Sequence, residues 1–445
     1  MAAGPPGSVN ALLDGEAQHS ACGARFGLPA SPYRSLNHGS FGQPCERARE
    51  VAAAFRAEMD TQPDLWFRER YSAHLKNATA QLEAYLHIPL SCRRLVAGED
   101  NPEYTAGGLV FADNTTFLIN SLLAHFDFRE GDAVMHSTLS YSMTQKACHR
   151  HAARPGGPAI LSVDFAPLLG LRSWEHGDWH LGPGFAGKLA AAYRRELQEA
   201  KRSGLRLRLA VIEHIVSAPS CVLPIVEVAA EIKAAFPEAW VCVDGAHALG
   251  SVPVDLSAPE MAGVDVYIGN GHKWLYTCRG CALMFCRHSG VLPAVTSSAT
   301  LLEGYPDARC EVAWSGDRRL WGMHENFTYL GTRDNAPILS VIGAMAFRRH
   351  SDSLFLLYQR ALAVFAAVYL ASVWRTAIAG GVDRLAGMAN VVLPHVGSQQ
   401  AADHLKGRML VEHRRYIQPC CFNGNVWLVR VSCPVYITKA DVRGP

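Results

Sequence analysis

Two polar clusters, each following an apolar, β-branched run, carry residues that could share one site. The run 240–243 delivers Asp244 in the string Asp244-Gly245-Ala246-His247-Ala248-Leu249-Gly250, and the run 264–268 leads into Gly269-Asn270-Gly271-His272-Lys273-Trp274. Asp244 and Lys273, 29 residues apart, therefore emerge from the ends of successive strands. A lysine amine becomes a nucleophile near neutral pH when desolvation or a neighbouring cation lowers its pKa, and it can then form a Schiff base with a carbonyl carbon. A buried aspartate can keep a nearby ring nitrogen protonated. The same two residue types at strand ends also describe an ordinary surface ion pair, so the surrounding residues have to decide.

The elements needed to position such a pair are legible. Short apolar segments at 109–112, 133–136, 209–213, 240–243, 264–268 and 282–285 alternate with helix-length stretches such as 187–203 and 226–236, a pattern that argues for a mainly parallel sheet with helices on its faces. Ligands bind such sheets at the carboxyl ends of the strands, where Asp244 and Lys273 fall. Asn114-Thr115-Thr116 sits between a strand-like run and the apolar helical stretch 117–126, and reads either as an anion cradle or as a plain N-cap. Arg430 lies inside the apolar run 426–431. Its planar fork suits a carboxylate ligand, and a structural ion pair is the alternative. Near the start, 33–41 reads as a turn and 46–86 as helix punctuated by Gln62-Pro63-Asp64.

Composition narrows the class. With 445 residues and 49% hydrophobic content there is material for two or three domain-sized units. A net charge of +2 without a basic stripe argues against a nucleic-acid partner. The thirteen cysteines are scattered and lack zinc-site spacing, so no metal is expected and the thiols read as reduced, in a cytoplasmic protein. Residues 1–30 read as a flexible tail, not a signal peptide. The apolar run 361–374 is shorter than the roughly 20 residues a membrane helix needs and reads as a buried helix; no membrane partner is expected.

Asp244-Gly245-Ala246-His247 together with Gly269-Asn270-Gly271-His272-Lys273-Trp274-Leu275 resembles the class V aminotransferase family of fold-type I pyridoxal-phosphate (PLP) enzymes, most closely its isopenicillin N epimerase-like branch. Leu36-Asn37-His38-Gly39-Ser40-Phe41-Gly42, Asp113-Asn114-Thr115-Thr116 with Asn120, Gly331-Thr332-Arg333-Asp334, and Arg430-Val431-Ser432 with Tyr436-Ile437-Thr438 match in the same order. The resemblance implies an α/β fold: a large domain, residues 31–336, with a seven-stranded, mainly parallel sheet covered by helices, and a smaller α+β domain, residues 337–445. Residues 31–65 would lie near the substrate pocket.

The resemblance also implies roles. Lys273 would form the Schiff base with pyridoxal 5'-phosphate and afterwards shuttle the substrate α-proton, Asp244 would pair with the ring nitrogen, and His247 would lie close to the ring. Asn114, Thr115 and Thr116 would hold the phosphate, with His272 as a further donor. Tyr141 would stack on the ring's open face, and Ser217 would touch the phenolic oxygen. Thr332 would reach the phosphate of a neighbouring subunit, implying a homodimer with shared sites. Arg430, with Asn37 and His38, would bind the α-carboxylate of an amino-acid substrate.

Three departures from the pattern are Arg279, where the branch often has lysine, and a short extra stretch around 257–261, both expected to lie away from the chemistry, and the chain's stop at Pro445, where relatives usually continue, so that the small domain is expected to be short on its outer face. The expected chemistry is β-elimination from a sulfur-containing amino acid, as in C–S lyases, or epimerase-like α-proton exchange, with a true aminotransferase as the alternative. Cysteine desulfurase ranks lower, because Cys310 is the sole candidate persulfide carrier and its surroundings do not resemble the required loop. A catalytically silent scaffold ranks lower too, because it has no need of Asp244, His247, Lys273 and Arg430 together.

Overall fold

The apolar runs, too short for helices, pair into one seven-stranded sheet in a computed structural model that describes residues 33–89, 108–287 and 331–443 together with Phe26, Cys92 and Phe327. Its strands are β1 (Gly108–Ala112), β2 (Asp132–Ser137), β3 (Ala159–Val163), β4 (Arg206–Glu213), β5 (Trp240–Asp244), β6 (Val266–Asn270) and β7 (Ala282–Cys286). The order is β1-β7-β6-β5-β4-β2-β3, and β7 runs against its two neighbours while the other pairings are parallel. Strands β1, β2, β6 and β7 are buried at every residue, as a sheet with helices on both faces requires. Expected boundaries shift by a residue or two: β6 ends at Asn270, so Lys273 lies three residues past the strand.

The helical reading of 46–86 resolves into helices Glu46–Thr61 and Tyr71–Tyr85, with a short turn at Pro63–Leu65 and a wide turn at Trp66–Arg70 between them. Pro63 opens the second piece, where its missing N–H costs nothing.

A second, antiparallel sheet of five strands is built mainly from the C-terminal part, in the order Gln418–Phe422, Val426–Ser432, Met388–Val392, Ala377–Ala379, Leu171–Ser173. The boundary expected at residue 337 is crossed twice. Leu171–Ser173 joins this sheet from the first half of the chain, and Arg34–Ser35 pairs with Arg415–Tyr416 while Ser432 N–H donates to Leu36 O at 2.8 Å. Leu36, Cys45 and Ala48 accordingly sit in the core of the C-terminal part. The flexible-tail reading also fails at Phe26, which is buried against Tyr276 and Tyr436 with ring centroids 5.1 and 4.8 Å away. An apolar ring was available in the tail for this pocket, and burial of one such side chain is worth about 2 kcal/mol.

The run 361–374 belongs to a longer helix, Asp352–Trp374, of 23 residues. It is long and apolar enough to cross a membrane by length and composition, yet Phe355, Tyr358, Leu362, Ala363, Ala366, Ala367 and Leu370 recur at helical spacing and pack onto the second sheet.

Three contacts fix the segment around Lys273. Gly42, at φ 66, passes so close to the His272 carbonyl that a Cβ would lie 1.6 Å from its oxygen, and Gly250, at φ 83, is similarly tight against Trp274. The buried Arg348 donates to Trp274 O at 2.7 Å and to Gly250 O at 3.1 Å, and its charge is met by Asp352. One guanidinium thus ties the loop after Asp244 to the loop after Lys273. Gly42→Ala is expected to destabilise the protein by ~2 kcal/mol or more in urea unfolding, since it combines an unfavourable φ with an unavoidable backbone clash.

Candidate active site

Strands β4, β5 and β6 are in register at their carboxyl ends, where Glu213 pairs with Asp244 and Asp244 with Ile268. The chain turns after each strand, and the turns carry His247 and Lys273 to the same end of the sheet. A cavity of about 260 Å³ opens there, lined by Asn114, Thr115, Thr116, Tyr141, Glu213, Ser217, Asp244, His247, Asn270, His272, Lys273 and Arg430, with Gly39, Ser40 and Phe41 at its edge. Tertiary folding has gathered residues from seven separated stretches of sequence.

Lys273 Nζ lies 3.3 Å from His247 Nε2. Burial, reinforced by the Arg430 charge and opposed by Asp244, pushes its pKa down to about 7. Asp244 is raised by burial, while the Ala246 N–H, 2.9 Å from its Oδ1, and the Lys273 charge oppose the shift. Burial and the same cations push His247 well below its ordinary value, and its Nδ1 is buried without a partner. A neutral imidazole that lines a cavity and keeps one ring nitrogen unmet is a group able to meet a ligand.

Arg430 is buried and, among the described residues, faces no carboxylate. Its Nη1 donates to Ser217 Oγ at 2.8 Å and its Nη2 to Asn37 Oδ1 at 2.9 Å and Ser40 Oγ at 2.6 Å, while Nε has no partner. Neutral acceptors hold the guanidinium in place and leave its charge uncompensated, which is the electrostatic signature of an anion receptor. Ser217 is thus held on the Arg430 side of the cavity.

The helix Thr115–His125 starts at the cavity, with Asn114 as its N-cap accepting from Phe117 N–H at 2.9 Å. Asn270, at the end of β6, accepts from Thr115 N–H at 3.2 Å and so pins the helix start beside the Lys273 segment. The Thr116 N–H and hydroxyl have no partner among the described residues and suit an anion.

Other expected residues fall differently. His272 lines the cavity, but its Nδ1 lies 2.9 Å from Cys281 O, which can only accept, so Nδ1 carries the proton. With the pKa pushed down to about 4 by burial and nearby cations, its other nitrogen is an acceptor at neutral pH and not the expected phosphate donor. His38 does not line the cavity: Nδ1 meets Tyr436 OH at 2.8 Å and Nε2 meets Lys273 O at 2.9 Å, so it braces the lysine from behind. Tyr141 is at the cavity mouth and half exposed. Thr332 lies outside the lining. Arg279, which the sequence marks as a departure remote from the chemistry, holds Phe41 O and Gly42 O at 3.1 and 2.8 Å. Cys310 lies outside the described residues.

Arg348 is not legible in the sequence, and Ser40 and Glu213 are marked only within the segments 37–40 and 213–217, without roles of their own. Glu213 offers the same local signal as Asp244, an acidic residue closing an apolar strand; Arg348 offers none, since its role depends on two distant carbonyls.

Comparison with known proteins gives this geometry a class. Solved structures similar in fold include a cystine C–S lyase, C-DES, with glycine covalently linked to its PLP cofactor (TM-score 0.69, 17% identity, 94% of this chain and 96% of that one). A cysteine desulfurase from Thermococcus onnurineus is also similar (TM-score 0.65, 14% identity, 92% of each chain). The fold is that of the fold-type I PLP enzymes. The sequence model of the aminotransferase class-V family matches residues 193–407, just under half of the chain. Curated relatives include an L-cysteine desulfhydrase of Arabidopsis thaliana, 28% identical over 64% of this chain and 57% of that protein, and a putative L-cysteine desulfhydrase 1 of Oryza sativa subsp. japonica, 26% identical over 64% and 53%. An L-cysteine desulfhydrase-like protein, lolT1, of Epichloe uncinata is 22% identical over 92% and 90%. The chain spans about half the length of the plant relatives it matches.

The residues present fit PLP, the cofactor linked to glycine in the similar C-DES structure. A desolvated amine at Lys273, a carboxyl at Asp244, the unmet His247 Nδ1 and the open helix start at Thr116 are the groups it needs. Because a Schiff base requires the neutral amine, PLP association with the apoprotein is expected to accelerate with rising pH through a midpoint near 7, as read by stopped-flow absorbance. An ordinary lysine would place that midpoint near 10.4.

Proposed function

We propose that the protein is a C–S lyase that eliminates the β-sulfur of L-cysteine or a small cysteine conjugate, releasing pyruvate and ammonia with the sulfur-containing fragment. The observation that carries this reading is the buried Arg430 fork, without a carboxylate partner among the described residues, in the same cavity as a lysine whose pKa burial pushes down to about 7. Bound beside Asp244, PLP supplies an electron sink for the pair left on the substrate α-carbon.

The remaining steps belong to the chain. Arg430 takes the substrate α-carboxylate in two places, exchanging neutral acceptors for a charged one. Lys273 Nζ, in its neutral form, accepts the α-proton, and His247 lies within hydrogen-bond reach to receive or return it. Asp244 keeps the ring nitrogen protonated. The choice of elimination over racemisation or amino transfer rests on the relatives' names, which are desulfhydrases and not epimerases. We further infer a homodimer in which Thr332 serves the partner's phosphate site, a reading that agrees with its place outside its own cavity and that sedimentation as a monomer would sink.

The holoprotein given L-cysteine, cystine or S-substituted cysteines is expected to release pyruvate and ammonia in equal amounts. Lys273→Ala is expected to lower that rate by roughly 10³-fold or more while leaving the fold intact by circular dichroism. Formation of the D-enantiomer without pyruvate would instead favour an epimerase, and a pyridoxamine form restored by a 2-oxo acid an aminotransferase. Arg430→Lys should raise KM for the amino acid by about 10- to 100-fold with a smaller change in kcat, because the two-point carboxylate grip is lost.

A further inference from the structure

The cavity holds a second carboxyl that the reading above does not use. Glu213 ends β4 directly beside Asp244 on β5, and neighbouring residues in register on parallel strands project from the same face of the sheet. Glu213 is buried and lines the cavity. Its Oε2 accepts from Ser137 Oγ at 3.1 Å, while Oε1 is buried with no hydrogen-bond partner. A full negative charge would leave that oxygen unmet, at a cost of roughly 1–3 kcal/mol or more.

We propose that Glu213 is a positioning residue for the cofactor's ring nitrogen, acting with Asp244 through charge across adjacent strand ends, so that the pair carries one negative charge or two according to pH. The inference rests on the reading of this cavity as the PLP site.

Two carboxylates on adjacent strands in a dry site cannot both ionise cheaply, and their protons come off in separate steps. Asp244 is the better-supported anion, with the Ala246 N–H and the Lys273 charge beside it. Glu213 keeps the proton: burial, aided by the Asp244 charge, pushes it up to about 7 against the hydrogen bonds from Ser140 and Ser137. The other titratable groups facing Glu213 are Cys148, on the helix Ser142–Ala152, and Tyr193, on the helix Phe185–Arg202, both pushed above their ordinary values by burial and by Glu213 itself. They stay neutral through the physiological range, so Asp244 is the acid whose charge is coupled to that of Glu213. As pH rises Glu213 ionises, a second negative charge arrives near the ring nitrogen, and the cation held there is bound more tightly.

The test is the PLP dissociation constant of the apoprotein, measured by fluorescence titration from about pH 6 to about pH 8.5 for wild type and for Glu213→Gln, which keeps the shape and removes the ionisation. Taking the ratio of variant to wild type cancels the titration of Lys273, which both share. The ratio is expected to be near one at the acid end and to rise to about tenfold at the alkaline end, the effect of one unit of pKa coupling. A merely structural role would weaken binding equally at every pH, and a flat ratio overturns the proposal. Ser137→Ala provides an independent reading should Glu213→Gln fold poorly. Loss of the hydroxyl donor raises the Glu213 pKa, so binding should weaken near neutrality and recover at the alkaline end, and a uniform change would again overturn the proposal. Wild-type protein that takes up no PLP overturns the cofactor reading itself, and this inference with it.

Discussion

Taking the Lys273 amine out of water is the constraint on which the site depends. An ammonium transferred to a dry interior loses several kcal/mol of hydration unless an opposite charge compensates, and here the strong charges nearby pull in opposite directions: Arg430 disfavours the protonated lysine and Asp244 favours it. Burial decides the balance, and the amine is poised near neutrality. A carboxylate in direct contact would have held it as an ordinary ammonium. Neutral His247 is therefore a suitable neighbour at 3.3 Å, since it can share a proton without fixing a charge.

That burial is maintained by contacts with no chemical role of their own. His38 braces the Lys273 carbonyl, Arg279 holds the turn at Phe41 and Gly42, and Arg348 binds the carbonyls of both Gly250 and Trp274. The N-terminal segment, the C-terminal sheet and the Asp352–Trp374 helix thus meet behind one short loop. The cavity has a stiff floor made by strand register and a wall made by the Asn37–Ser40 turn against Arg430. The division of labour is electrostatic, with the acidic groups Asp244 and Glu213 at the strand ends and the guanidinium supplied by the other sheet.

Recognition of the site depended on composition of function more than on single residues. Asp244, His247 and Lys273 were readable because short apolar strands end abruptly in polar strings, and the parallel α/β pattern says such ends converge. Arg430 was readable as a residue type misplaced in an apolar strand unless it has a partner, whereas Asn114 through Thr116 read equally as an anion cradle or a plain N-cap. His272 was readable as a cavity residue but not in its role, because the carbonyl that fixes its tautomer belongs to Cys281, nine residues away across a turn.

By itself the sequence determined the alternation of strands and helices, the lysine and aspartate at successive strand ends, and the arginine buried in a C-terminal strand, since each follows from local hydrophobic pattern and residue chemistry. Tertiary structure alone decided that Arg430 would be held by Ser217, Asn37 and Ser40 in place of a carboxylate, that His38 would support the lysine and not the substrate, that Phe26 and residues 34–48 would pack with the C-terminal part, and that Glu213 would stand beside Asp244. The reason is physical. Hydrogen-bond partners and desolvation are set by which distant segments come into register, and one residue of slip in β4 would turn Glu213 to the opposite face of the sheet.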